Sequence, residues 1–230
     1  MRDIKFFTTN MVDTDYLLTH VKEYDVENNY DQYKEVMIDP GVYELKENVK
    51  YSWEDDVDVE DLLDKLPSNH YLSFDYPCDM NLDNQELFLN KSWNNAVKYC
   101  NYSQYVVSVQ SKFKNFSNFK YWFDKYNSLD VKSSLMGIGN LCIINCKTTN
   151  NKNFVKSVIE YTLSNTRCNR VHFYGLTLRV FKYLYKCSAE YDVGVSIDSV
   201  KWIHPVNDDL KKLNFYPKYH DRQLYFDTYI

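Results

Sequence analysis

At 230 residues, with 44% hydrophobic and 26% charged side chains, the chain is long enough for one well-buried core and too ordered in composition for general disorder. Its 32 acidic against 27 basic residues give a net charge of −5, which argues against a protein that coats nucleic acid by bulk electrostatics, because phosphate contacts need clustered Lys and Arg. No stretch of 18 apolar residues occurs, and the opening MRDIKFFTTN lacks the apolar core of a signal peptide, so a soluble, cytoplasmic, single-domain protein over residues 1–230 with no membrane partner is expected.

Strand-like and helix-like segments alternate along the chain, the pattern of parallel α/β architecture. IKFFTT reads as a strand, and MVDTDYLLTHVKEY as a helix with Asp13 or Thr14 as its cap. EVMID is a strand, VDVEDLLDKL a short acidic helix, HYLSFD a strand, and QELFLNKSWNNAVKYC a helix. YVVSVQ precedes FSNFKYWFDKY, where Phe116, Phe119, Trp122 and Phe123 fall on one helical stripe suited to core packing. SLMGIG leads into NKNFVKSVIEYTLSNT, RVHFYG into LRVFKYLYKCSAEY, and DVGVSID is the last strong strand. A short helical piece around NDDLKKL and the segment LYFDTYI follow it. Seven alternations with an ambiguous eighth strand predict a compact (β/α)8 TIM-type barrel with an abbreviated first part. A doubly wound open sheet is the alternative, but MGIGNLC does not complete its phosphate-binding glycine pattern.

A polar residue or glycine closes each of six apolar runs: Asp39 in VMIDPG, Asp75 in YLSFDYP, Gln110 in YVVSVQS, Gly139 in LMGIGN, Gly175 in VHFYGL and Asp198 in VGVSIDS. A parallel barrel gathers such strand ends on one rim, where they converge on one substrate. Two facing carboxylates, Asp39 and Asp198, suit a glycosidic substitution in which one attacks the anomeric carbon and the other manages the proton on the leaving group. Asp75 with Gln110 suits the donor edge of a purine, since a carboxylate accepts from N1–H and N2–H and an amide both donates and accepts. Gly137 and Gly139 would let a flat base approach the strand closely. A strand-end aspartate also commonly caps the next helix, Asp75 before Tyr76 and Pro77 suits a turn, and glycines make tight turns.

Six scattered cysteines fit reduced thiols, and Cys142 and Cys146 lack a second pair or a His at ligand spacing, so no metal is expected. Lys112, Lys114 and Lys120, and Arg167, Arg170, Arg179 and Lys201 near the later strand ends, are candidates for a local basic face.

The succession of a D-x-G-[VF] motif with a following aromatic, then FD, VQ, GIG, a YGL strand and a DS strand, over roughly residues 35–202, resembles the tRNA-guanine transglycosylases and their relatives that insert 7-deazaguanines into DNA. The family's DSGGFQ stands here as Asp39-Pro40-Gly41-Val42-Tyr43-Glu44. The resemblance implies a TIM-type barrel, Asp39 as general acid/base, Tyr43 as the ring covering the base, and Asp75 and Gln110 as base readers. It also implies Gly137 and Gly139 as a close backbone wall and Asp198 as the nucleophile. The reaction implied is ping-pong exchange of guanine in DNA or tRNA for a 7-deazaguanine, without a cofactor, on a nucleotide taken out of its stack. A homodimer or an accessory nucleic-acid-binding subunit is the assembly implied. Pro40 replaces the usual serine, and the family's zinc motif after the nucleophile is absent because the last cysteine, Cys187, precedes Asp198. Another nucleoside or glycoside hydrolase on the same rim, and a catalytically silent barrel that binds a base or nucleic acid, are the competing readings.

Overall fold

The computed structural model describes residues 4–7, 15–40, 57–78, 82–142 and 144–198. Eight strands are defined: β1 (Lys5–Phe7), β2 (Tyr16–His20), β3 (Glu35–Asp39), β4 (His70–Ser73), β5 (Tyr105–Val109), β6 (Leu135–Ile138), β7 (Arg170–Phe173) and β8 (Gly194–Asp198). Among the described residues five α-helices accompany them: α1 (Val59–Lys65), α2 (Gln85–Tyr99), α3 (Phe116–Asn127), α4 (Thr149–Asn165) and α5 (Phe181–Tyr191). From β4 to β8 a helix lies between each pair of successive strands, as parallel pairing requires of its crossovers.

All the ladders are parallel and run in the order β1-β8-β7-β6-β5-β4-β3-β2. The result is an α/β fold with a curled parallel sheet that stays open. Among the described residues no ladder joins β1 to β2, although Phe7 and Tyr16 bring the two edges together with ring centroids 5.6 Å apart. The curl is also evident in side chains that meet across it. Glu35 on β3 receives Lys5 of β1, and Arg170 Nη1 of β7 lies 2.9 Å from Glu35 Oε1.

Period-two alternation sorts the strand residues into two cores. Leu72, Val107, Ile138, Val171 and Val195 point outward and pack with Phe88, Phe123, Ile159 and Leu184 of the helices. Phe7, Met37, Val106 and Leu135 form a smaller cluster inside the curl, edged by Tyr16, Leu18 and Tyr71.

One segment departs from its expected structure. Tyr16–His20, read as part of a helix, is the strand β2 and the partner of β3 throughout its length, from Tyr16 opposite Glu35 to His20 opposite Asp39. Leu17 and Thr19 are buried on one face and Tyr16, Leu18 and His20 are half-buried on the other, which is strand alternation. Turns over residues 21–34 take the place of a helix, with Tyr24 stacked on Tyr30 at 5.0 Å and bonded to His70 Nδ1 at 2.7 Å. The expected NDDLKKL helix and LYFDTYI segment lie outside the described residues.

Candidate active site

On the interior face of β4 to β8, the residue at or next to the end of the apolar run is preceded two positions earlier by a small or polar residue, whereas Asp39 on β3 is preceded by Met37 of the inner cluster. The pairs are Ser73 and Asp75, Ser108 and Gln110, Gly137 and Gly139, His172 and Tyr174, and Ser196 and Asp198. The residues between them, Phe74, Val109, Ile138, Phe173 and Ile197, are buried in the outer core and fix the phase of each strand. Five neighbouring strands thus line one rim of the curl with chemistry.

Loop contacts hold this rim. Asn95 Nδ2 of α2 donates to Phe74 O at 2.9 Å, and Tyr76 N donates to Ser92 Oγ at 2.8 Å, so α2 clamps the backbone on both sides of Asp75. Asn140, just past β6, accepts from Cys78 N at 3.1 Å and donates to Ser111 O, tying together the segments that follow β4, β5 and β6. Its φ of 62° lies in the left-handed region that Asn tolerates better than most residues.

The Asp75 carboxylate accepts from Ser73 Oγ on Oδ1 and from Gln110 Nε2 on Oδ2. Burial, reinforced by the negative charge of Asp39, pushes its carboxyl up to about 7, against the pull of those two hydrogen bonds. Ser73 Oγ lies 2.9 Å from Ser108 Oγ, which donates to Tyr174 OH at 3.3 Å, so a row of hydroxyls runs from Asp75 across the interior to β7. Burial raises the Tyr174 phenol well above its ordinary range, which keeps it a neutral hydroxyl. Among the described residues, Gln110 Oε1 is buried without a hydrogen-bond partner.

On β8, Asp198 Oδ1 takes two contacts: Gly175 N donates to it at 2.8 Å, and His172 Nε2 lies 3.0 Å away. The other ring nitrogen of His172 lies 3.0 Å from Ser196 Oγ. The imidazole is fully buried between the rings of Phe7, at 5.5 Å, and Tyr174, at 4.5 Å.

The expected site residues therefore fall as follows. Asp75 and Gln110 are in direct contact, and Asp39 sits near enough to raise the Asp75 carboxyl. None of the three aspartates serves as a described helix cap: Asp58 caps α1, Asn84 precedes α2, and the carboxylates of Asp75 and Asp198 are engaged within the rim. The lanes beside Gly137 and Gly139 hold protein atoms: a Cβ at Gly137 would come within 2.6 Å of Tyr174 Cε2, and one at Gly139 would collide with the Gln110 carboxamide. Tyr43 lies outside the described residues.

Of the basic candidates, Lys112 and Lys114 follow β5 on the rim side, with Lys112 paired to Glu86, and Arg179 follows β7. Lys120 lies over the Phe116 ring, and Lys201 is outside the described residues. Arg170 turns instead into the interior against Glu35, and Arg167 precedes β7 at the opposite end, where it helps line a 390 Å³ cavity. No group of His, Cys, Asp and Glu among the described residues could hold a metal ion. No helix among them is long and apolar enough to cross a membrane.

Sequence reasoning missed Ser73, Ser108, His172, Tyr174 and Ser196. The signal for them was the two-residue spacing shared by SFD, SVQ, GIG, HFY and SID. Comparison with known protein families, with curated proteins and with solved structures finds no match.

Proposed function

We propose that the chain is a cytoplasmic base-exchange transglycosylase on a (β/α)8-type barrel, replacing guanine in DNA or tRNA by a 7-deazaguanine. The observation that carries this reading is the division of the rim into two stations: Asp198 with one oxygen held by Gly175 N and His172, and Asp75 in contact with Gln110. The first suits a nucleophile, because anchoring Oδ1 orients Oδ2 for attack. The second suits the hydrogen-bonding edge of a guanine-like base, because the buried Gln110 Oε1 lacks a donor that an exocyclic amine would supply.

In the first half-reaction Asp198 Oδ2 bonds to C1′ as the C1′–N9 bond breaks. The electron pair leaves with guanine, which is protonated with the help of Asp39. In the second, the nitrogen of the incoming deazaguanine attacks C1′, gives up its proton to Asp39, and returns the ester electrons to Asp198. Tyr43 covers the base. The net negative charge leaves the grip on nucleic acid to cations such as Lys114 and Arg179 on the rim loops, and to a second copy or an accessory subunit.

A hydrolase is the second reading, favoured by Asp75, whose carboxyl near 7 suits a general acid. Labelled preQ0 or preQ1 offered with matched DNA and tRNA tests both. Incorporation by the native protein and none by Asp198→Ala supports exchange and identifies the polymer. Abasic product without incorporation supports hydrolysis, and neither product with base binding intact leaves a binding protein.

A further inference from the structure

We infer that His172 is a positioning residue for the second half-reaction: a buried N–H that orients Asp198 and receives its charge as the sugar ester is released. The inference rests on the transglycosylase reading above and adds to it a residue that contacts neither base nor sugar.

His172 is a titratable group inside the curl, with none of its side chain exposed, and buried polar groups persist where their bonds are satisfied. Both its nitrogens are used. Nε2 faces Asp198 Oδ1 at 3.0 Å and Nδ1 faces Ser196 Oγ at 3.0 Å. A carboxylate can only accept, so Nε2 carries the hydrogen, while the Ser196 hydroxyl, which can donate or accept, adapts to Nδ1. Phe7 and Tyr174 fix the ring plane from two sides. Strand register sets the spacing: His172 is the β-ladder partner of Ser196, so its ring reaches Asp198 two residues further along β8.

The chemistry asks most of this contact at one step. When Asp198 attacks through Oδ2, Oδ1 becomes the carbonyl oxygen of a glycosyl ester, a weaker acceptor than a carboxylate oxygen. When the incoming base displaces the sugar, the C1′–Oδ2 bond breaks and its electron pair returns to the carboxylate. Charge then grows on Oδ1 in front of two preplaced donors, Gly175 N–H and His172 Nε2–H. Removing one such donor raises the barrier to release of the ester in the second step.

The test compares His172→Gln with His172→Asn. Both place a neutral amide at the site. The longer one reaches the Nε2 position and keeps a donor for Asp198, while the shorter one reaches only the Nδ1 position beside Ser196. With guanine-containing DNA or tRNA and labelled preQ1, His172→Asn is expected to lower kcat by on the order of 100-fold with little change in KM for the base. It is also expected to accumulate a denaturant-stable protein–nucleic acid adduct during turnover. His172→Gln is expected to stay within several-fold of the native protein and to accumulate no excess adduct. Equal loss in both variants, or loss in His172→Asn without added adduct, would show a packing role and overturn the inference. If the native protein itself neither exchanges base nor forms adduct, the transglycosylase reading fails and the inference falls with it.

Discussion

Asp75 has a carboxyl pushed up to about 7 although two hydrogen bonds favour its charged form, so burial and the charge of Asp39 outweigh them. The consequence for stability has a definite sign. Below about pH 4 the carboxyl is protonated in both folded and unfolded chains and adds no pH dependence. From about pH 4 to about 7 the unfolded chain ionises while the folded one keeps its proton, so stability falls through this window and then levels off. Asp75→Asn is therefore expected to melt higher than the native protein at pH 8, with the difference shrinking as pH falls towards 4, in thermal scans of both proteins. A constant difference across that range would assign the proton elsewhere. Gly139 sets a second prediction. A methyl group there meets the Gln110 carboxamide, so Gly139→Ala is expected to cost about 1–3 kcal/mol in urea unfolding and to weaken binding of guanine or preQ1 measured by calorimetry. The rim carboxylates and Gln110 were legible in the sequence because each closes an apolar run. Their interior neighbours were not: Ser108 and Ser196 read as minor interruptions of YVVSV and VGVSI until the inward face is known.

At the scale of elements, the alternation of strands and helices was legible from EVMID onward because outward strand positions are uniformly apolar and the helices carry their own signals. Asn115 caps α3 by accepting from Asn118 N at 2.9 Å, and Asn115→Ala is expected to cost about 1 kcal/mol in urea unfolding, with the strand content in circular dichroism unchanged. The exception is β2, where Tyr-Leu-Leu-Thr-His has apolar residues on both faces because it contributes to both cores. Leu17 packs outward and Leu18 borders the inner cluster. A strand with apolar residues on both faces lacks the polar–apolar alternation in sequence that distinguishes it from a helix, although its burial alternates.

Across the whole molecule, Glu35 links strands that the ladder order separates widely, drawing Lys5 from β1 and Arg170 from β7 to one carboxylate. Glu35→Gln leaves two cations facing each other in a largely buried space and is expected to destabilise the fold by about 3 kcal/mol. Replacing all three by apolar residues of similar volume is expected to restore most of that stability, because the cost lies in the unmatched charge. Chemical denaturation of the single and triple variants checks both. This cluster was invisible in the sequence, where Arg170 read as a basic-face candidate, since long-range pairing across an interior leaves no local pattern.

The seam between β1 and β2 bears on how the molecule deforms. A closed hoop of strands changes its girth only by breaking or sliding hydrogen bonds, whereas a split ring widens by parting the side chains that meet across its gap. Among the described residues, the aromatic rings of Phe7 and Tyr16 meet there, Lys5 reaches over the Tyr16 ring, and Lys5 also pairs with Glu35 of β3. Phe7 belongs to that seam and also packs its ring 5.5 Å from the His172 imidazole, so the edge contact and the group that holds Asp198 Oδ1 share one side chain.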